Sequence, residues 1–339
     1  MYYGTSVDAK GRIIRKFRYE ERQIHREDFP KDSDIEEIYL PDSMDIVSLD
    51  DFRRCAELTK ISIPYSVKKI MNGSLCPAGC AALKEVILSY GLKIIGEKAF
   101  IYCYNLAEIN IPDTVTVIGE QAFEGCSSLT EVVIPDGVTE IGKSAFEKCR
   151  RLTRINIPDR ITEIGKSTFS GCSNLTEINI PNNVTEIGGG AFSGCSSLTE
   201  INIPDGVTEL GAYTFYQCSN LSKVNIPDSV RIISAYAFGG CSNLTEINIP
   251  DSVIEIGTGA FSDCENLAEV TISNNITLIR EKTFSDCKSL TRVNIPKAVK
   301  KIEDNAFANC SSLIKVKFYK RYTKVDDFAF CGCDNLIID

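Results

Sequence analysis

The feature that most constrains this chain is a unit of twenty-three residues that returns with almost the same wording. Residues 175–195 read LTEINIPNNVTEIGGGAFSGC, and residues 152–172 and 198–218 repeat most of those letters in the same order. Repeats of this length are typical of solenoids, in which each unit packs only on its neighbours. The length of 339 residues therefore does not imply several globular domains.

Within one unit, the apolar residues predict two short extended segments followed by a turn. Ile109 and Ile111 alternate with polar residues, which is the period of a strand with one buried face. One such strand per short unit pairs only with its counterparts in neighbouring units, in parallel. Val115 and Ile118 follow in a second extended segment, and the A-F-x-x-C motif after them predicts a short helical or 3₁₀ turn. The predicted fold is a repeat solenoid, α/β by convention but mostly β, with one parallel sheet.

The cysteines follow the repeat. Thirteen of the fifteen share one register, and only Cys76 and Cys331 fall outside it. One thiol per unit predicts a column of small buried side chains rather than disulfides or metal ligands. Cys76 and Cys80 have a C-x-x-x-C spacing with no histidine nearby, which is a weak metal signal. The sequence therefore predicts no metal and no cofactor.

The regular units define the domain organisation. Residues 35–339 are predicted to form the solenoid, with a two-residue insertion near residues 71–79. Residues 1–34 are predicted to form a degenerate N-terminal capping coil, because terminal repeats cover the open end of the core and are atypical.

Charge and hydropathy exclude several classes of protein. The net charge of −9 argues against a nucleic-acid-binding protein and fits a soluble chain, which we expect to be monomeric. No apolar run approaches the roughly 20 residues of a transmembrane helix, and the charged start is not a secretory signal peptide. The chain as it stands is therefore expected in the cytoplasm, or at the cell surface if a leader or anchor is missing.

The unit L-x-x-I-x-I-P-x-x-V-x-x-I-G-x-x-A-F-x-x-C resembles the BspA-like (Treponema-type) leucine-rich repeat over residues 35–339. The A-F-x-x-C element is specific to that class and occurs, for example, at Ala122-Phe123…Cys126. The chain lacks the asparagine column that follows the strand in typical leucine-rich repeats. The resemblance implies a bacterial protein with a right-handed, curved solenoid that serves adhesion or binding to cell-surface molecules. It brings no catalytic residues.

No catalytic constellation is present in the sequence. His25 is the single histidine, and no nucleophile with an unusual local motif accompanies it. We therefore expect no enzymatic activity and no catalytic residue.

Two candidate surfaces remain. The first, called the strand face, combines two outward columns of the predicted strand, one charged and one rich in asparagine. In the charged column two acids precede each base, so the alternative interpretation is a solvated charge ladder that tunes strand pairing. The strand-face residues are Glu108, Asn110, Glu131, Arg154, Asn156, Glu177, Asn179, Glu200, Asn202, Lys223, Asn225, Glu246, Asn248 and Arg292.

The second surface, called the tyrosine cluster, consists of Tyr213, Tyr216 and Tyr236. Tyr213 and Tyr236 occupy the same slot in adjacent units, and Tyr216 follows Phe215. Tyrosine is enriched at interfaces, whereas half-buried tyrosines also straddle the surface for structural reasons. The sequence predicts a non-enzymatic interaction scaffold for a protein or a cell-surface glycan. The alternative is a structural spacer within a larger surface protein or assembly.

Overall fold

A computed structural model describes residues 2–7, 13–18, 34–48, 52, 55–71, 81–317 and 323–338. The chain divides into two compact units, an N-terminal unit, Met1–Ile161, and a C-terminal unit, Thr162–Asp339. In each unit, successive coils stack short strands on their counterparts in parallel, in the register of the repeat. The predicted mostly-β solenoid is confirmed.

The first strand of each coil carries the alternating pattern, with apolar side chains buried and polar ones exposed. Its pairing follows the repeat, so that Glu131 lies opposite Arg154, and Glu200 opposite Lys223. In the N-terminal unit these strands are Glu37–Tyr39, Lys60–Ile63, Glu85–Leu88, Glu131–Val132 and Arg154–Ile155. In the C-terminal unit they are Glu200–Asn202, Lys223–Asn225, Glu246–Asn248, Glu269–Thr271, Arg292–Asn294, Lys315–Lys317 and Ile337–Ile338.

The second strand of each coil is only two residues long, and its second residue points into the core in most coils. In the N-terminal unit these strands are Ile46–Val47, Lys69–Ile70, Ile94–Ile95, Val117–Ile118 and Glu140–Ile141. In the C-terminal unit they are Glu163–Ile164, Glu186–Ile187, Glu209–Leu210, Ile232–Ile233, Glu255–Ile256, Leu278–Ile279, Lys301–Ile302 and Lys324–Val325.

The first sheet of the N-terminal unit begins with an antiparallel hairpin. Strands Tyr2–Val7 and Ile13–Arg18 pair with each other, and the latter pairs in parallel with Glu37–Tyr39. The capping coil over residues 1–34 stays a prediction, since residues 19–33, with His25, lie outside the described part of the chain. The insertion near residues 71–79 lies mostly outside it as well. Its effect is visible in the pairing of Lys60 with Glu85, which are 25 residues apart.

The core of each unit is a stack of phenylalanine rings. In the C-terminal unit the rings from Phe169 to Phe330 stack one per coil, with centroids 5.2–5.6 Å apart. In the N-terminal unit Phe100, Phe123 and Phe146 stack at 5.3 Å. Offset stacking at this distance is favourable beyond the area that the rings bury. The predicted register, phenylalanine on phenylalanine, is therefore present in both units.

The segment around each phenylalanine, predicted as a short helical or 3₁₀ turn, does not form a helix. It is a run of tight turns, and the described residues contain no α-helix. The residues two before and two after the phenylalanine have positive φ, as Gly190 (66°) and Gly194 (71°) do around Phe192. Such residues interrupt a right-handed helix after each turn. The i, i+3 spacing suggested a helix because a single turn with an i→i+3 hydrogen bond places the same two side chains on one face.

The backbone N–H groups of this segment donate alternately to the next coil and to their own coil. The N–H groups of Gly190, Phe192 and Gly194 donate to carbonyls of the next coil at 2.7–2.9 Å. The N–H groups between them donate to the carbonyl three residues back in the same coil. Every other amide of this segment therefore donates to the neighbouring coil.

The cysteine thiols complete this arrangement. Phe192 O accepts from the Cys195 N–H at 3.1 Å and from the Cys218 Sγ of the next coil at 3.2 Å, and this pattern recurs in both units. A carbonyl oxygen has two lone pairs and can accept both. All thirteen described cysteines are free thiols. The register cysteine is thus a small buried side chain that also donates a hydrogen bond.

Burial predicts the reactivity of these thiols. It raises the pKa of Cys218 and of Cys264 to about 12, so that almost no thiolate exists at neutral pH. In native protein at pH 8 we expect iodoacetamide to modify exposed Cys331 and to leave Cys218 and Cys264 unmodified until denaturant is added. Peptide mass spectrometry measures this. Equal labelling of Cys218 and Cys331 in native protein would contradict the buried column.

Candidate interaction surfaces

The strand-face residues are all exposed, as predicted. The strands that carry them are shorter than the alternating pattern suggests, because Glu108 forms only an isolated bridge with Glu131, and residues 175–180 form no strand. Asn156 is engaged by the fold, since its side-chain amide accepts from the Ile134 N–H at 2.7 Å and donates to the Ile134 carbonyl at 2.8 Å. It replaces a backbone pairing there and is the strand-face asparagine least free to bind a ligand.

In the charged column of the C-terminal unit, some paired positions carry opposite charges and others carry like charges. Glu200 lies opposite Lys223, whereas Glu246 lies opposite Glu269. Arg292 likewise lies opposite Lys315. Like charges on directly paired positions are destabilising, so this column is not arranged purely for strand pairing.

The tyrosine cluster is assembled as the sequence predicts. The rings of Tyr213 and Tyr236 stack with centroids 5.3 Å apart and an interplanar angle of 5°. The Tyr216 ring meets both edge-on, at 5.4 and 6.3 Å. Tyr213 and Tyr236 have φ of 61° and 54°, which is uncommon for a bulky residue. Tyr213 remains 46% exposed, so the cluster offers a rigid aromatic surface.

A groove of about 290 Å³ continues from Tyr236 along the same turn segments. Its floor is a row of small buried residues one position after each phenylalanine: Ser262, Ser285 and Ala308. Its two walls come from the positive-φ positions on either side of that row. One wall carries Tyr236, Lys282 and Asn305, and the other carries Asp263, Asp286 and Asn309.

The residues of both walls have a left-handed backbone, as Lys282 (57°) and Asp286 (58°) do. Gly259 occupies the wall position between Tyr236 and Lys282. A Cβ there would lie 2.3 Å from Tyr236 Cε1, so the ring covers this glycine and no side chain fills that part of the wall.

The charged side chains that line the groove differ in how far neighbouring groups neutralise or hydrogen-bond them. Burial, followed by repulsion from Asp286, raises the pKa of the Asp263 carboxyl above its usual value. The adjacent Ser262 hydroxyl opposes that rise, although it makes no well-formed hydrogen bond. Asn309 Nδ2 donates to Asp286 Oδ1 at 3.0 Å. Lys282 Nζ lies 3.3 Å from Glu281 Oε1, outside the groove lining.

A second pair of tyrosines, in the N-terminal unit, shows the contrasting case. Tyr102 and Tyr104 stack at 5.8 Å, and the Tyr102 hydroxyl donates to the buried Glu124 carboxylate at 3.2 Å. Lys148 Nζ lies 3.1 Å from the same carboxylate. The Tyr102 hydroxyl therefore has its partner within the unit, so we assign Tyr102 a structural role.

Reasoning from the sequence missed the groove residues. A signal was present at the position two after the phenylalanine, where glycine, aspartate and asparagine dominate, as at Gly194, Asp263 and Asn309. These residue types tolerate positive φ best. Among the described residues no helix is long and apolar enough to span a bilayer. No group of three metal-ligating side chains occurs among them either.

These stacked parallel coils, with a buried ring in each and an exposed strand face, define a leucine-rich repeat solenoid. A family model described as BspA-type leucine-rich repeat region, in six copies, matches residues 22–116, 93–222 and 208–337. The chain belongs to the BspA-type leucine-rich repeat family.

Two solved bacterial structures share this fold. A leucine-rich cell surface protein of Faecalibacterium prausnitzii is 28% identical, with a TM-score of 0.61 over 99% of this chain and 92% of that one. A leucine-rich repeat protein of Bacteroides ovatus is 27% identical, with a TM-score of 0.70 over 98% of this chain and 91% of that one. No curated protein is significantly similar to the chain.

Proposed function

We propose that this protein is a non-enzymatic interaction scaffold that binds a protein or a cell-surface glycan through the exposed side of its coils. The observation that carries the proposal is the charged column on the exposed side of the first strands, where the like charges of Glu246 and Glu269 lie on directly paired positions. Such an arrangement costs strand stability and is compensated when a partner of complementary charge covers it. Solenoids commonly bind through an extended face of this kind.

The similarity to a cell surface protein supports a surface location, because the two chains align over almost their whole length. A repeat scaffold of the same build also serves as a spacer that holds other domains apart. The spacer is therefore the alternative function, and it requires no ligand of its own.

A matched pair of variants separates scaffold from spacer. The first replaces Glu246, Asn248 and Glu269, on the exposed side of two paired first strands, by alanine, and the control replaces the exposed second-strand residues Glu163, Glu186 and Glu209. Exposed substitutions of this kind change stability by about 0.5 kcal/mol or less, so both variants are expected to fold.

The measurement is surface plasmon resonance against purified extracellular-matrix proteins and a panel of glycans. We expect the wild-type chain and the control to bind at least one partner equally, and the strand-face variant to bind it about tenfold more weakly. A wild-type chain that binds no member of either panel would overturn the scaffold and favour the spacer. Equal weakening by both variants would exclude the strand face as the binding surface.

A further inference from the structure

We propose that the groove beside Tyr236 is a binding site for a neutral oligosaccharide, which lies along the repeat direction across three coils. This inference deepens the proposed function as an interaction scaffold and rests on it. It concerns a surface other than the strand face.

The form of the groove favours a narrow, extended ligand. Its floor consists of the small side chains of Ser262, Ser285 and Ala308, which are 3%, 6% and 7% exposed. Each comes from a successive coil, and neighbouring coils in such a stack are about 4.8 Å apart. That spacing is close to the length of one pyranose ring in a linear chain. Successive sugars would thus meet equivalent wall positions in successive coils.

The chemistry of the walls suits a ligand with many hydroxyl groups. Asp263 and Asp286 offer carboxylate acceptors, Lys282 offers donors, and the amides of Asn305 and Asn309 offer both. A sugar hydroxyl donates and accepts at once, so it can use this mixture. Tyr236 closes one end of the groove with a rigid ring, whose apolar surface suits the C–H groups of a sugar.

Charge and composition disfavour the other classes of ligand. Two carboxylates against a single lysine make the groove unfavourable for an anionic chain. A protein interface of ordinary affinity needs buried aromatic or arginine anchors in well-packed pockets, and this groove has only polar walls besides one tyrosine.

The test measures binding of cello-, chito- and manno-oligosaccharides of two to six sugars to the full chain by calorimetry and saturation-transfer NMR. The groove variants are Tyr236→Ala and Asp286→Ala. The control is Tyr90→Ala, which removes a lone tyrosine that is 71% exposed. We expect the wild-type chain to bind at least one series, with affinity that rises with chain length. The Tyr236 and Asp286 variants should bind about tenfold more weakly, and the control as the wild type.

Three outcomes overturn the proposal. The first is that no oligosaccharide binds at millimolar concentration. The second is that oligosaccharides bind but the groove variants bind as tightly as the wild type. The third is that the strand-face variant, not the groove variants, loses oligosaccharide binding. A chain that binds a protein through the strand face and no glycan would refute this site and leave the scaffold function standing.

Discussion

Replacing Phe192 by alanine is expected to lower the free energy of unfolding by about 3–5 kcal/mol. Its ring is completely buried and stacks between Phe169 and Phe215, with centroids 5.6 Å from each. Truncation removes the buried area of the Phe192 ring and its stacking contacts with the two neighbouring rings. The coils above and below are held in register by backbone pairing, so they cannot collapse fully into the cavity.

Urea denaturation followed by circular dichroism measures the loss, and Phe328→Ala is the matched control. Phe328 is the same residue type in the same C-terminal unit, but its side chain is 60% exposed. We expect that variant to stay within about 0.5 kcal/mol of the wild type. Equal losses at Phe192 and Phe328, or a loss below about 1 kcal/mol at Phe192, would contradict a continuous stack of rings as the core.

The core could be predicted from the sequence because the same apolar pattern recurs in successive repeats. A single Phe192 in a unique sequence indicates little, but a phenylalanine at the same slot in successive units can only lie in one column. The substitutions within the motif fit that column. Thr214, which replaces the usual alanine, remains buried because its hydroxyl donates to the Gly211 carbonyl at 2.7 Å.

The turn segment, predicted as a short helical or 3₁₀ turn, has the i→i+3 hydrogen bond of such a turn but does not continue as a helix, for a physical reason. Side-chain spacing reports which residues share a face, but it does not report the sign of φ. The positive-φ position two before the phenylalanine accepts residues as different as Tyr213, Lys282 and Gly190, so no single residue type marks it. Hydrogen bonds to the next coil impose this backbone, and those bonds are tertiary contacts that local pattern cannot show.

The candidate surfaces likewise differ in whether the sequence predicts them. Exposure of the strand face and proximity of the three tyrosines follow from register alone, so both were predictable. The groove was not, because its walls depend on the left-handed backbone and on the ring of Tyr236 covering Gly259. The engagement of Asn156 with Ile134 was equally hidden, since the neighbouring asparagines of the column have the same sequence context.

Deleting one whole unit, residues 175–197, is expected to leave a folded and cooperative C-terminal unit. The deletion removes Glu186 and Ile187, which pair with Glu163 and Ile164, and brings Glu209 and Leu210 into their place. The new neighbours present almost the same side chains in the same register. In the shortened chain, Tyr213 would occupy the coil next to that of Ser167, at the equivalent position, and both residues have positive φ. Stability in solenoids is a sum over units and interfaces, so the variant should lose about one unit's share.

Deleting half a unit, residues 175–185, is expected to abolish folding of that region. The following strand would face a partner displaced by half a repeat, and Phe192 would leave the column between Phe169 and Phe215. Buried apolar side chains would meet polar ones in every remaining contact at the junction, and a register error of this kind exposes the whole inward set. Circular dichroism and urea unfolding compare the two deletions. The common register would be refuted by a half-unit variant that unfolds as cooperatively as the whole-unit variant.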